Sequence, residues 1–91
     1  MESKKTNRRN NYRRDNWQDV LRRVLYIINQ IENGVYPTAA DLGRELNLHP
    51  RTVRRYIRGL REDFNAPIEF DVKKNGFYFS SDWELKKNLA K

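Results

Sequence analysis

The chain has 91 residues, no cysteine and a formal net charge of +7. This length suits one small domain, and the absence of cysteine excludes disulfides, thiolate metal sites and a cysteine nucleophile. No apolar run approaches the ~20 residues of a membrane span, and the basic N-terminus lacks the apolar segment of a signal peptide. The surplus of positive charge favours a polyanionic partner such as nucleic acid.

The first 15 residues are strongly basic and almost without apolar side chains. Lysine and arginine dominate the stretch, and after Met1 its one apolar ring is that of Tyr12. Such a segment cannot bury enough apolar surface to order itself, so we predict a flexible basic arm over residues 1–15. Two roles stay open for it: a solubilising tail, or an arm along a DNA backbone or minor groove.

A first helix is predicted over residues 16–33. Asp15 or Asn16 can cap its start, and Gly34 supplies its stop. Its apolar residues recur three and four apart, which is the period of one helical face. We expect this face in the core, with the first residue holding the helix start to the domain: Trp17, Val20, Leu21, Val24, Leu25, Ile28 and Ile31.

Two more helices are predicted on either side of a short turn. Thr38 opens the first, with Asp41 as a shorter stand-in for the capping-box glutamate, and Asn47 ends it. Pro50 fits the first turn of the next helix, with His49 as its N-cap. That helix reaches Asp63 or Phe64 and buries Val53, Tyr56, Ile57, Leu60 and Phe64. Gly43 would supply the small residue needed where the two helices of such a motif touch.

The sequence then changes to an alternating period. Ile68, Phe70 and Val72 alternate with acids, which predicts a half-buried strand, and residues 73–76 form a turn around Asn75-Gly76. Residues 77–79 form the return strand, and residues 81–91 can form a short last helix capped by Ser81. The apolar stripe of this extension either packs onto the first helix or forms a dimer seam: Trp83, Leu85 and Leu89.

Three helices followed by a hairpin predict a mainly α fold with a small β-hairpin. This is the layout of a winged helix-turn-helix, a three-helix core with a two-stranded wing. We place that domain at residues 16–80, after the arm, and treat residues 81–91 as a short extension.

The third helix presents arginine almost continuously on its exposed face. Arg51, Arg55 and Arg58 fall opposite Val53. Arg54 and Arg61 lie on one flank, and Thr52 lies on the other. A merely solvated surface would mix signs, whereas acids arrive here only at the C-terminal end, as Glu62 and Asp63. Because the guanidinium group suits phosphate and the guanine edge, the pattern predicts insertion into a major groove.

Further contacts are predicted from cations outside this helix. Lys73 and Lys74 at the hairpin tip can reach phosphates or the adjacent minor groove, and Arg44 can reach a phosphate. His49 is the lone histidine, so a cap or a phosphate contact is expected there and a metal site is not.

The segments TAADLGRELNLHPRTVRRYIRGL, APIEFD and GFYFS resemble the N-terminal winged helix-turn-helix head of WYL-domain and DeoR-type bacterial transcription regulators. The resemblance covers nearly all of residues 20–80. It implies sequence-specific DNA binding, usually as a dimer on an inverted repeat, with Arg51, Thr52, Arg54 and Arg55 at recognition positions. His49 stands where the family usually has serine, and Asn47 where glycine is common. The resemblance does not extend to a sensor domain, so it implies DNA binding without ligand sensing.

These patterns together predict a bacterial or phage regulator that binds double-stranded DNA. A repressor, or an accessory factor of a mobile element, needs only such a module, and a homodimer would provide two half-sites. We expect it in the cytoplasm, on the nucleoid, with no cofactor, metal or small-molecule ligand. The alternative is a winged helix that binds protein or RNA. An enzyme is not expected, because the sequence has no Ser/His/Asp signature, Gly-rich phosphate loop or metal cluster.

Overall fold

A computed structural model describes residues 16–89, so the predicted arm, residues 1–15, lies outside the described residues. Helix α1 spans Trp17–Glu32, α2 spans Ala39–Leu46 and α3 spans Pro50–Phe64. Strands β1 (Ile68–Asp71) and β2 (Gly76–Phe79) follow, and then a 3₁₀ turn at Leu85–Asn88. The predicted winged helix-turn-helix fold is confirmed. Within residues 16–89, no helix has the length and apolar character needed to cross a membrane.

Local signals set the ends of α1 as predicted. The side chain of Asn16 accepts a hydrogen bond from the backbone N–H of Asp19 at 2.9 Å, which satisfies a donor in the first helical turn. At the other end Gly34 takes a φ of 74°, a left-handed conformation that glycine adopts without steric cost.

The core lies where the three helices meet the wing. Ile27 on α1, Leu42 on α2 and Val53 and Ile57 on α3 are almost completely buried, together with Ile68 of β1. The strands pair antiparallel, with Ile68 opposite Phe79. Each of these large aliphatic side chains contributes about 1.5–3 kcal/mol by burial, which holds α3 against the other elements.

The buried face of α1 differs from the predicted one. Ile27, outside the predicted stripe, is fully buried, whereas Trp17, Leu21 and Leu25 are 68%, 42% and 47% exposed. The prediction that Trp17 holds the helix start to the domain is therefore wrong. The helix is turned about its axis toward Ile27, because Leu21 borders an open groove between α1 and α3 instead of a packed interface.

The wing is shorter on its first strand than predicted. β1 ends at Asp71, so Val72 belongs to the turn and is 82% exposed, and Phe70 is 43% exposed. Asn75 has the left-handed φ of 55°, but Gly76 does not and already belongs to β2. The predicted alternation of buried residues therefore fails after Ile68, because Phe70 packs only edge-on against Phe77, with the ring centres 5.2 Å apart, and stays partly exposed.

Beyond the wing, the last described residues fold back onto α3. The indole N–H of Trp83 donates to the carbonyl of Phe64 at 2.9 Å, and its ring stacks on Phe79 at 5.6 Å. Only a short 3₁₀ turn forms here, and its N-cap is Glu84, so the predicted cap at Ser81 is wrong. The hydrogen bond from Trp83 satisfies a terminal carbonyl of α3, which fixes the end of that helix.

Candidate nucleic-acid interface

A reciprocal capping box fixes the start of α2. The hydroxyl of Thr38 accepts from the N–H of Asp41, and the carboxylate of Asp41 accepts from the N–H of Thr38, both at 3.0 Å. Arg44 completes the cluster by donating to Asp41 at 2.7 Å. The N–H of Thr38 is the largest cause that lowers the pKa of Asp41, and Arg44 lowers this pKa further. The positive charge of Arg44 is therefore already paired with the carboxylate of Asp41.

The capping box predicts an acid-sensitive contribution to stability. Because the folded-state pKa of Asp41 lies below its ordinary value of 3.8, its contribution is complete above that value. The contribution is lost as the pH falls through the lower folded-state pKa. We expect Asp41→Asn to lower the free energy of unfolding by up to about 1 kcal/mol at neutral pH. Urea unfolding from pH 7 to pH 2 should show the two proteins converging in acid.

A control for that experiment is Asp82→Asn, since Asp82 is exposed and takes part in none of the ion pairs within residues 16–89. This variant should follow the wild type at every pH. A gap between wild type and Asp41→Asn that stayed constant down to pH 2 would contradict the capping role of the ionised carboxylate.

The turn between α2 and α3 depends on two residues. Asn47 adopts the left-handed region (φ 59°, ψ 46°) and ends α2, as predicted. The N–H of Leu48 then donates to the carbonyl of Gly43 at 2.8 Å, which brings the turn against α2. A Cβ on Gly43 would collide with the Leu48 carbonyl, so the small residue is required by the turn backbone. The close approach of Leu48 to Gly43 fixes where α3 begins relative to α2.

His49 serves as the N-cap of α3. Its Nδ1 accepts from the N–H of Arg51 at 3.0 Å, and Pro50 follows in the first helical position. The predicted cap is thus confirmed, although the usual capping residue would be serine or threonine. The exposed imidazole and the first guanidinium of the arginine row therefore lie at the same end of α3.

The arginine face of α3 is present and unneutralised. Arg51, Arg54, Arg55 and Arg58 are all exposed, and within residues 16–89 none of them takes part in an ion pair. By contrast, Arg22 and Arg44 are each paired with an aspartate three residues away. Thr52 is half-buried on the opposite flank from Arg54. The four arginines therefore form a concentrated positive surface.

The wing defines one side of this arginine face. Arg54, Arg58 and Arg61 line a small cleft of ≈ 160 Å³ floored by Ile57 and Phe77. Arg61 also donates through Nε to the carbonyl of Ile68 at 3.0 Å, which attaches α3 to β1. Arg55 lies at the opposite margin of this face, where it lines a groove together with residues of α1. The sequence analysis placed Arg61 on the same flank as Arg54 but assigned it no contact, because its hydrogen bond to β1 could not be read from helical spacing.

The two lysines at the wing tip differ in their surroundings. The N–H of Lys74 donates to Asp71 at 3.0 Å, and its ammonium lies 4.7 Å from the centre of the Tyr36 ring. Lys73 is exposed and has neither of these contacts. Lys74 is thus drawn toward the body of the domain, and Lys73 extends from the tip.

The comparison with known proteins adds a family. Residues 23–78 match the helix-turn-helix (HTH) domain family, a span that runs from α1 through the wing. No curated protein and no solved structure matches the chain. The narrower resemblance to WYL-domain and DeoR-type regulators stays a prediction. The match covers more than half of the chain and agrees with the observed fold, so the chain belongs to the helix-turn-helix domain family and carries a DNA-binding domain of that kind.

Proposed function

We propose that the protein is a sequence-specific regulator that binds double-stranded DNA with α3 in the major groove. The observation that carries the proposal is the set of four arginines on one helix of a helix-turn-helix, all exposed and without an ion pair among residues 16–89. A helix of 15 residues is long enough to lie along the groove, and guanidinium groups can read guanine or hold phosphate. The simplest role is a repressor, or an accessory factor of a bacterial or phage mobile element, acting on the nucleoid in the cytoplasm.

The residues divide into two proposed groups. Arg51, Thr52, Arg54 and Arg58 would contact base edges, with Arg55 at the margin of the same face. The remaining positions would contact phosphates: His49 at the helix start, Arg44 on α2, and Lys73 and Lys74 on the wing. Such contacts would set the register of the domain on the duplex, and the base contacts would carry the sequence information.

The proposed DNA-binding unit is residues 16–80, with the basic residues 1–15 as an added backbone contact and the following residues as a support for α3. Two copies on an inverted repeat would place one α3 in each half-site. Half-sites would then be separated by about one helical turn of DNA or a multiple of it.

Selection of bound sites from random duplex DNA tests the proposal directly. The full chain should enrich a short sequence, and its affinity for that sequence should exceed its affinity for random duplex by about 10³ or more at physiological salt. Salt titrations on the selected duplex, random duplex and duplex RNA supply the comparison. Equal affinities for all three would contradict sequence reading, and a preference for RNA would indicate the alternative winged-helix function.

A further inference from the structure

A groove of the described chain lies on the side of α3 away from the wing. It has a volume of ≈ 540 Å³ and is bounded by α1, by the second half of α3 and by the C-terminal 3₁₀ turn. Its walls are apolar, with Tyr56 and Leu60 on α3, Val24 on α1 and Leu85 at the end. This groove is separate from the cleft where Arg54, Arg58 and Arg61 meet the wing.

An exposed apolar stripe on α1 stands at the edge of this groove. Trp17, Leu21 and Leu25 recur every four residues, so they project from one side of the helix, and Leu89 joins them from the C-terminal end. Trp17, Leu21 and Leu89 are also part of the groove lining. A protruding stripe beside a groove of matching character is a self-complementary surface, as a two-fold interface requires.

The two charged residues of the groove lining are of opposite sign. Arg55 and Asp63 lie eight residues apart on α3, about 12 Å along the helix axis. Both are exposed, and within residues 16–89 neither forms an ion pair. A two-fold axis between them would place Arg55 of each copy opposite Asp63 of the other.

We propose that a second copy of this chain occupies the groove, with the Trp17–Leu21–Leu25 stripe of each copy packed against the groove of the other and with two Arg55–Asp63 ion pairs across the axis. Residues 1–15 do not suit the groove because they are mostly charged or polar. An anionic partner would gain nothing from apolar walls. The inference rests on the proposed function, in which two copies bind two half-sites on DNA, and it assigns the surface through which the two copies associate.

Sedimentation equilibrium of the full chain without DNA tests the dimer. We expect a mass of twice 11.0 kDa at micromolar to millimolar concentration. Leu21→Lys should weaken association by about tenfold or more, since it places a charge in the apolar contact. Val35→Lys is the matched control: Val35 is 60% exposed, is not part of the groove lining, and should leave association unchanged. A monomer over the whole range, or a dimer that Leu21→Lys does not weaken, would overturn the proposal.

A charge exchange tests the predicted pairing. Asp63→Arg and Arg55→Glu should each weaken association several-fold, and the double variant Asp63→Arg/Arg55→Glu should restore it. Circular dichroism confirms in each case that the helices remain. A double variant no stronger than either single one would overturn the two-fold arrangement. None of these measurements uses DNA, so the two proposals can fail separately. A failed site selection would contradict the proposed function and leave the dimer standing, whereas a monomer that still selects a DNA sequence would contradict only the dimer.

Discussion

Replacing Gly76 by alanine is expected to destabilise the fold by about 3 kcal/mol or more. A Cβ at this position would overlap the backbone carbonyl of Tyr36. The two segments are held together because the N–H of Phe77 donates to the carbonyl of Pro37 at 2.9 Å. The backbone of Tyr36 is itself constrained at a φ of 52°, so it cannot easily move away.

Urea unfolding followed by circular dichroism measures this effect. Gly59→Ala is the matched control, because a Cβ at Gly59 meets nothing within 4 Å and lies inside α3. Alanine has the higher helix propensity, so Gly59→Ala should stabilise by about 0.5–1 kcal/mol. Equal unfolding midpoints for Gly76→Ala and the wild type would show that β2 does not depend on this close approach.

The second large effect is expected for the double variant Arg51→Ala/Arg58→Ala. The two side chains are seven residues apart near the centre of the exposed face of α3, about 10 Å along the axis. If both read bases, each contributes about 1–3 kcal/mol of discrimination, so affinity for the selected site should fall by about thirtyfold or more. Fluorescence anisotropy on the selected duplex and on random duplex measures both affinities. Folding should be unaffected, because both side chains are exposed.

Two control variants separate base reading from charge. Arg51→Lys/Arg58→Lys keeps the charge but loses the planar donor fork, so it should bind random duplex normally and discriminate poorly. Arg22→Ala removes one arginine charge on α1, where Asp19 already pairs it, and should change the affinity little. The double alanine variant could instead lose affinity equally for both duplexes, with the slope of log affinity against log salt concentration smaller by about 1.8. That result would show that Arg51 and Arg58 contact only phosphates.

Much of the interface could be predicted because its components are local. The caps at Thr38 and His49 and the left-handed Asn47 depend on residues within a few positions in the chain, so their chemistry is readable from the sequence. The arginine row follows from helical periodicity once Val53 is placed inside. The sequence did not show which arginines of that row lie beside the wing and which lie beside α1. Which flank meets the wing depends on where β1 lies, and the hydrogen bond from Arg61 to Ile68 exists only after the hairpin has docked.

By itself the sequence determined the element order, the helix ends and the sign and position of the charged face. These depend on backbone hydrogen bonds and steric preferences over one or two helical turns. Tertiary structure alone decided that Ile27 is buried while Leu21 and Leu25 remain exposed, and that Gly76 is needed for its contact with Tyr36. Burial depends on which surfaces are covered by segments distant in the sequence. The period of α1 shows that the helix has an apolar side, but it does not show how much of that side the neighbouring elements cover.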